Sequence, residues 1–352
     1  MADLRGYLEQ AVAEGASDLF VVAGGPVSCK RDGKLLRMSE GRALPDDTAA
    51  LIREIYTLAG RDETSYLRDG DDDFSFALPG LARFRVSAYR QRGSLAAVIR
   101  VVAFEIPDYQ AMGIPEGVMD VAGLTHGLVL VSGTAGSGKS TTQACLIDRI
   151  NHTREGHIIT LEDPIEFLHR DNRCIVSQRE IAIDTLDYPA ALRACLRQAP
   201  DVILLGEMRD YETIRTAMTA SETGHLVIAT LHTKGAVNTV DRIVDSFPPE
   251  QQAQVRIQLS MVLRSVISQQ LLPAASGGLV PAFELMHMNS AIRSMIRDSK
   301  NHQIDSVIQT SVSEGMFSMD QSILKLWQER RITAETAVDY ADNPEQMRRR
   351  MK

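Results

Sequence analysis

Two spacings of hydrophobic residues alternate along the first part of the chain. Apolar residues recur every three or four positions in some segments, which predicts amphipathic helices, and every second position in others, which predicts strands. The predicted elements are helices over 3–14 and 46–59, strands over 17–26 and 73–78, a hairpin over 27–36 that turns at Asp32-Gly33, and a hairpin formed by 83–93 and 94–102. These elements predict a small α/β domain with an antiparallel sheet over residues 1–103.

A different pattern begins after a break in the periodicity. Two prolines and a glycine fall between residues 107 and 115, so we expect a linker over 104–117. Beyond it, apolar runs of strand length alternate with helical segments, and these runs are 128–132, 158–162, 202–206 and 226–231. Such alternation is typical of a parallel sheet with helices on both faces. We expect this sheet to form the core of a domain over 118–272.

The last part of the chain is predicted to be helical. Beyond Pro249 the apolar residues recur at helical spacing as far as Leu271. This stripe comprises Val255, Leu259, Val262, Leu263, Val266, Ile267 and Leu271. A short amphipathic helix is predicted over 291–298. We therefore expect a C-terminal helical region over 273–352.

Composition and charge restrict the classes of function that are possible for the chain. Of the 352 residues, 44% are hydrophobic and 24% are charged, as in an ordinary globular protein, and the net charge is −8. This negative charge argues against nucleic-acid binding through bulk charge. No apolar run approaches the ~20 residues that a membrane-spanning helix needs. The N-terminus lacks a basic segment followed by an apolar one, so we expect no secretion signal and a cytoplasmic location.

A glycine-rich segment carries the strongest chemical signal. Residues 133–140 match G-x-x-x-x-G-K-[ST] at every fixed position, after a strand-like run and before a helical pattern. Glycines in this context let backbone N–H groups turn toward phosphates, and the helix start adds a positive dipole end. We expect the Lys139 amine to reach the terminal phosphates of ATP and the Ser140 hydroxyl to bind Mg²⁺. The predicted nucleotide-binding residues are Gly133, Thr134, Ala135, Gly136, Ser137, Gly138, Lys139, Ser140, Thr141 and Thr142.

Two adjacent carboxylates follow the second predicted strand of this domain. The run 158–162 ends in Glu162 and Asp163, and Pro164 then stops the strand. In a parallel sheet the ligand lies beyond the carboxyl ends of the strands. Phosphoryl transfer needs a group that orients the attacking water, and it needs ligands for the metal. We therefore predict that Glu162 acts on the water and that Asp163 is a metal ligand, in preference to a solvated turn.

A second acidic position follows the next predicted strand. Four apolar residues over 202–205 precede a glycine and Glu207, which is the Walker-B form with glycine where an aspartate often stands. We assign Glu207 to Mg²⁺, directly or through water. Whether Glu162 or Glu207 activates the attacking water stays open at this point. One interpretation of Arg209 and Asp210, which follow, is that they pair with each other.

Two histidines flank the fourth predicted strand. His225 precedes the run 226–231 and His232 follows it. Their spacing is not that of a zinc site, and lone histidines more often satisfy hydrogen bonds than catalyse. We predict that His232 contacts or senses the γ-phosphate as a switch group rather than as a base. For His225 this role stays open beside a purely structural one.

Three arginines belong to paired strands of the first domain. Arg83 and Arg85 lie on one strand of the predicted hairpin and Arg100 lies on the other. Arginine makes bidentate contacts to phosphate, and in oligomeric P-loop ATPases a neighbouring subunit commonly supplies such a finger. Arginines on a strand equally serve to solubilise a sheet face, and the residues alone favour that second interpretation.

Four motifs in order resemble those of the type II/type IV secretion ATPase superfamily. The segments 136–142, 161–167, 201–210 and 223–233 are similar to its Walker A, Asp box, Walker B and His box. The hairpin with the three arginines resembles the segment that carries the inter-subunit arginines of the family. The resemblance therefore implies a catalytic role for Arg85 and Arg100, and more weakly for Arg83. It also implies a PAS-like N-terminal α/β domain plus a RecA-like P-loop NTPase domain with a C-terminal helical extension.

Three features resemble the pilus-retraction branch of this superfamily. We expect a short N-terminal domain without the extra domain typical of extension and secretion ATPases. No cysteine follows Cys195, so the tetracysteine zinc site of those relatives cannot form. Residues 291–298 resemble the retraction-specific AIRNLIRE motif, with departures at three positions. Within it Arg293 and Arg297 stack at i, i+4 spacing, and this unfavourable pair of like charges indicates an acidic partner.

The resemblance implies a homohexameric motor that hydrolyses ATP with Mg²⁺ to drive type IV pilus retraction. ATP would lie between subunits, held by the ATPase domain of one and covered by the N-terminal domain of the next. The ring would be cytoplasmic and peripheral at the inner membrane, docked to a pilus platform protein through the region of Arg293 and Arg297. Membrane contact would occur only through that partner, and no nucleic acid is expected.

Two alternatives to a retraction motor stay open. One is an accessory paralogue of the retraction ATPase, or a secretion ATPase, which the intact motifs do not by themselves exclude. The other is a DNA-translocating ATPase on the same RecA-like core, against which the negative net charge counts.

Overall fold

The computed structural model describes residues 3–31, 33–102 and 106–352. The chain forms two compact units. The first holds the described residues of 1–105 together with 166–168, and the second holds 106–165 together with 169–352. Asp32 of the predicted hairpin turn and the first two residues of the predicted linker, 104–105, lie outside the described residues. The domain boundaries derived from the sequence stay predictions.

The first unit is an antiparallel sheet with helices packed on it. Its strands are β1 (Asp18–Val21), β2 (Ser28–Arg31), β3 (Lys34–Arg37), β4 (Asp71–Leu78), β5 (Ala82–Gln91) and β6 (Ser94–Val102), and its helices are α1 (Leu4–Ala13), α2 (Pro45–Ala59) and α3 (Thr64–Asp69). The described strands follow the order β3-β2-β1-β6-β5-β4 with antiparallel neighbours throughout. The core joins Phe84 and Ile99 of the sheet to Leu8 of α1 and Ile52 of α2. The predicted small α/β domain is confirmed.

The second unit is built around a seven-stranded sheet in the described part of the chain. Its strands are β7 (Gly127–Ser132), β8 (Gly156–Glu162), β9 (Cys174–Glu180), β10 (Val202–Leu205), β11 (Leu226–Leu231), β12 (Leu263–Pro273) and β13 (Leu279–His287). Its helices are α4 (Glu116–Met119), α5 (Lys139–Thr153), α6 (Tyr188–Cys195), α7 (Tyr211–Glu222), α8 (Ala236–Asp245), α9 (Pro249–Val262), α10 (Ser290–Arg297), α11 (Ile304–Thr310), α12 (Met319–Gln328), α13 (Ala334–Tyr340) and α14 (Pro344–Arg350). No helix within the described ranges is long and apolar enough to cross a bilayer.

Both faces of this second sheet are buried. The strand order is β13-β12-β7-β11-β10-β8-β9, and neighbouring strands are parallel except for β12 and β13. Along β7 the side chains alternate between two cores, with Leu128 and Leu130 in one and Val129 and Val131 in the other. Helices α7, α8 and α9 contribute to the first core and α5 to the second. The predicted parallel sheet with helices on both faces is confirmed, and double burial explains its continuous apolar runs.

The helical prediction is wrong for the segment that follows α9. The helix ends at Val262 and the chain continues directly as β12, which pairs with β7 on one side and β13 on the other. Apolar residues four positions apart share a face in a strand as well as in a helix, so the stripe alone could not separate the two. The adjacent Val266 and Ile267 favour a strand, and Gly277-Gly278 forms the hairpin turn. The C-terminal helical extension begins at α10.

Candidate functional site

The motifs predicted from the sequence meet at one edge of the second sheet. Ser132 at the end of β7 lies opposite Leu231 at the end of β11, and Leu205 of β10 lies opposite Leu161 of β8. Because these four strands are parallel, the segments that follow them emerge at the same edge. The structure thereby brings together the glycine-rich loop, Glu162, Asp163, Glu207 and His232.

The glycine-rich loop turns sharply between β7 and α5. Gly133, Gly136 and Gly138 adopt φ angles of 148°, 75° and 87°, a region that favours glycine. A Cβ on Gly133 would lie 2.3 Å from the backbone oxygen of Gln269, and a Cβ on Gly138 would lie 2.8 Å from its side-chain nitrogen. The glycines are therefore needed both for the path of the loop and for its close contact with β12.

Lys139 opens helix α5 beneath this loop. Its buried amine donates hydrogen bonds to the carbonyl oxygens of Gly133, at 2.8 Å, and Thr134, at 2.9 Å. Thr134 and Ala135 are exposed at the tip of the loop. A lysine ammonium, backbone donors and a helix N-terminus together form an anion-binding site. The loop is thus arranged for phosphate.

Gln269 is a supporting residue that sequence reasoning missed. It lies on β12 with 4% of its surface exposed, and its Oε1 accepts a hydrogen bond of 2.7 Å from the Thr142 hydroxyl. This bond keeps the fully buried Thr142 side chain inside the unit, and its direct contact with the nucleotide stays a prediction. A signal was available, because a glutamine in an apolar strand is costly unless its polar atoms are used.

Hydrogen bonds from two neighbouring strands hold the Glu162 carboxylate at the end of β8. The Thr160 hydroxyl donates to Oε1 at 2.6 Å, and the Gln178 amide on β9 donates to the same atom at 3.2 Å. Thr160 is fully buried, so its hydroxyl is a rigid anchor. Asp163, the next residue, is exposed. The sheet therefore positions the Glu162 carboxylate, whereas the Asp163 carboxylate is exposed beside it.

Glu207 links the segment after β10 to the His box. Its Oε1 lies 2.7 Å from Nε of Arg209, and its Oε2 lies 3.3 Å from Nε2 of His232. The hydrogen bond to Glu207 raises the pKa of the Arg209 guanidinium above its usual value. The suggested Arg209–Asp210 pair is wrong, because Asp210 caps α7 and accepts a 2.9 Å bond from the backbone N–H of Thr213. A cap is the more favourable use of an aspartate at a helix start.

The two histidines lie at opposite ends of β11. A ring nitrogen of His225 is 3.0 Å from the carbonyl oxygen of Ala220, at the amino end of the strand. The six residues of β11 lie between His225 and His232, so the two histidines are about 23 Å apart at the usual rise of a strand. Of the two histidines, His232 is the one that contacts Glu207 in the described part of the chain, and a sensing role for His225 stays a prediction.

The first unit carries its three predicted arginines on one face of its sheet. Arg85 of β5 lies opposite Arg100 of β6, and Arg83 is two residues before Arg85 on the same side. The buried Phe84 takes the opposite, core side. Arg100 Nε lies 3.0 Å from Asp18, yet 64% of the arginine side chain is exposed. Because like charges directly opposite each other are unfavourable, this face is suited to an anion.

The side chains at the sheet edge match Mg²⁺ bound with a nucleotide. Ser140, Asp163 and Glu207 offer hydroxyl and carboxylate oxygens, which are the ligands that Mg²⁺ prefers. Within the described residues no group of three or more His, Cys, Asp or Glu side chains could hold a metal ion. Mg²⁺ is usually bound through one or two carboxylates, waters and substrate phosphates, so the absence of a complete protein cage is compatible with it.

Helix α10 presents two arginines beside a buried apolar stripe. Ile292 and Ile296 are fully buried, in agreement with the predicted amphipathic pattern. Neither Arg293 nor Arg297 forms an ion pair with any residue in the described ranges. Burial, together with the charge of Arg293, lowers the pKa of Arg264 below its usual value. The arginines therefore concentrate positive charge on this part of the surface.

Known proteins are similar to this chain both in sequence and in fold. The family model described as "Type II/IV secretion system protein" matches residues 2–277. The chain is 45% identical to the "Type IV pilus retractation ATPase PilT" of Pseudomonas aeruginosa, over 97% of this chain and 99% of the relative. It is also 45% identical to the "Twitching motility protein" of Neisseria gonorrhoeae, over 86% of this chain and 82% of the relative. The "Crystal Structure of the Pilus Retraction Motor PilT and Bound ADP" superimposes with a TM-score of 0.91 at 43% identity, covering 99% and 100% of the two chains. The chain belongs to the type II/IV secretion system protein family.

Proposed function

We propose that this chain is the subunit of an ATP-hydrolysing motor that drives type IV pilus retraction. The observation that carries the proposal is the meeting of the glycine-rich loop, Glu162, Glu207 and His232 at one sheet edge. The relative named as a pilus retractation ATPase matches over 97% of this chain and 99% of its own length, so neither chain has a large region without a counterpart. A related structure described with bound ADP supports nucleotide binding.

The proposed chemistry uses the loop for binding and the carboxylates for hydrolysis. The loop N–H groups and the Lys139 amine hold the phosphates, and the Ser140 and Glu207 oxygens hold Mg²⁺, directly or through water, with Asp163 as a further ligand. Bound Mg²⁺ supplies charge neutralisation on the phosphate oxygens. We infer that Glu162 accepts a proton from the attacking water, because hydrogen bonds from Thr160 and Gln178 hold its carboxylate at the sheet edge, whereas Glu207 is paired with Arg209 and assigned to Mg²⁺.

A second subunit completes the site in this proposal. Arg85 and Arg100, and to a lesser extent Arg83, would neutralise charge on the phosphates held by a neighbouring copy. Their shared sheet face and the unfavourable Arg85–Arg100 pairing support an anionic partner. A contact between two different surfaces of the same chain closes into a ring when the rotation permits, and we propose a homohexamer.

The partner surface is proposed to lie on helix α10. Arg293 and Arg297 form no ion pair within the described chain, and Arg264 adds a third positive charge nearby. We propose that an acidic segment of an inner-membrane platform protein docks here, which would hold the ring at the cytoplasmic side of the inner membrane. A role in binding nucleic acid is not proposed, since the net charge is −8.

Substituting Arg293 separates hydrolysis from motion. The purified Arg293→Ala protein is expected to keep ATP turnover within about twofold of the unmodified protein, because a substitution on the surface and away from the nucleotide site has small effects. When this variant replaces the unmodified protein in a strain that lacks the gene, pilus retraction, scored by twitching and by single-pilus imaging, is expected to be lost. Arg348→Ala, an exposed arginine of α14, is the matched control and should retract normally.

Two outcomes of this experiment would count against the proposal. Normal retraction with Arg293→Ala would remove the docking role of α10. Normal retraction in the strain that lacks the protein altogether would remove the motor function and leave an accessory role.

A further inference from the structure

Tyr188 is a half-buried residue at the hydrolysis edge that the chemistry described so far does not use. It is the first residue of α6 and follows the N-cap Asp187, whose side chain accepts a 2.7 Å hydrogen bond from the backbone N–H of Ala190. Its ring packs against the core that contains Leu205 of β10. The backbone cap and the core contact together fix the direction of the phenol.

The Tyr188 hydroxyl reaches the gap between the two acidic segments. A Cβ on Gly206 would lie 2.7 Å from the hydroxyl oxygen and 3.4 Å from Cα of Glu162. Gly206 is the position where the Walker-B pattern often has an aspartate, directly before Glu207. The phenol therefore occupies the space in which a side chain at that position would begin, and it needs glycine there.

Three carboxylates lie near enough to this phenol to act on it electrostatically. Burial, followed by the charges of Glu207, Asp163 and Glu162, raises the pKa of Tyr188 well above its usual value. A phenol with its ordinary pKa is already protonated at neutral pH, so the hydroxyl is available as a hydrogen-bond donor. It makes no hydrogen bond to another residue in the described ranges, although it lies in a site rich in acceptors.

We propose that the Tyr188 hydroxyl donates a hydrogen bond to the water molecule that attacks the terminal phosphate, while Glu162 accepts a hydrogen bond from the same water. This inference rests on the proposed ATPase function. The two contacts fix the orientation of the water: the phenol engages one lone pair, the carboxylate engages one O–H, and the second lone pair points at phosphorus. Tyr188 is thus assigned as a further catalytic residue.

Removing the hydroxyl tests this assignment. Tyr188→Phe keeps the aromatic side chain in the core, so thermal stability and assembly of the oligomer should stay unchanged. The kcat for ATP hydrolysis is expected to fall about three- to tenfold, the range for loss of one neutral hydrogen bond, with no change in KM. Tyr211→Phe is a matched control, because Tyr211 also follows an aspartate N-cap at the first position of a helix and its hydroxyl donates to Gln251 at 3.1 Å. Its kcat should equal that of the unmodified protein.

A second variant separates a shared water from a structural effect. In a Glu162→Gln background, Tyr188→Phe is expected to change the single-turnover rate by less than about twofold, because groups that act on one water are not additive. The Mg²⁺ concentration for half-maximal activity should be the same in Tyr188→Phe and the unmodified protein.

Three results would overturn the inference. They are an unchanged kcat in Tyr188→Phe, an equal loss in both backgrounds, and a raised Mg²⁺ requirement, which would assign the hydroxyl to a metal-bound water. Failure of the proposed function is distinguishable, since the unmodified protein would then hydrolyse no ATP.

Discussion

Replacing Glu162 with glutamine is expected to lower the kcat for ATP hydrolysis by about 10²- to 10⁴-fold, the usual contribution of a general base. Glutamine has nearly the same shape, and its side-chain oxygen still accepts the hydrogen bonds from Thr160 and Gln178. It cannot take a proton from the attacking water. ATP affinity, measured by nucleotide titration, and thermal stability, measured by thermal denaturation, should therefore stay near those of the unmodified protein. The loss of kcat is measured by phosphate release.

Two comparison variants sharpen this prediction. Glu166→Gln changes an exposed glutamate of the same segment and should leave kcat unchanged. Glu207→Gln should also lower hydrolysis, but with a raised Mg²⁺ requirement, because Glu207 is assigned to the metal. Near-normal turnover in Glu162→Gln, together with a loss in Glu207→Gln that extra Mg²⁺ does not restore, would transfer the role of base to Glu207.

Replacing Lys139 with alanine has the second large effect. The variant loses the charge that would reach the terminal phosphates and both hydrogen bonds that hold Gly133 and Thr134 of the loop. We expect turnover to fall by about 10²- to 10³-fold, the usual cost of removing one group that stabilises transition-state charge. ATP binding, measured with a fluorescent analogue, should weaken as well, because the same amine contributes to the ground state.

A lysine far from the loop provides the control. Lys325→Ala alters an exposed residue of α12 that pairs with Glu329, and it should bind and hydrolyse ATP normally. Turnover by Lys139→Ala that matches this control would contradict the assignment of residues 133–140 as the phosphate site.

Motifs at strand ends could be predicted from the sequence because parallel strands deliver their carboxyl ends to one edge. Glu162, Glu207 and His232 each follow a short apolar run, and the spacing alone was enough to bring them to the glycine-rich loop. The same rule places His225, which precedes its strand, at the opposite edge of the sheet. The parallel pairing of β11 with β7 agrees with that placement.

The contacts of the supporting residues were not predictable, because the partners are remote in sequence. Gln269 contacts Thr142 across 127 positions, and Gln178 reaches Glu162 from an edge strand, β9, whose polar residues gave no strand signal. Tyr188 was missed for a related reason, since its hydroxyl matters only beside Gly206. Strand β12 was mistaken for helix because tertiary pairing with β7 decided between two patterns that its apolar residues fit equally.

Co-assembly of two inactive variants tests the shared site most directly. Lys139→Ala and Arg85→Ala subunits with different tags are co-expressed, assemblies that carry both tags are purified, and ATP turnover is compared with that of each variant alone. If one copy supplies the loop and its neighbour the arginine, each side of an interface carries its intact part in about half of the cases when the two variants mix at random. About a quarter of the interfaces then combine an intact loop with an intact arginine, and the mixture regains a corresponding share of activity. Turnover no higher than that of the separate variants would contradict a site built from two neighbouring copies.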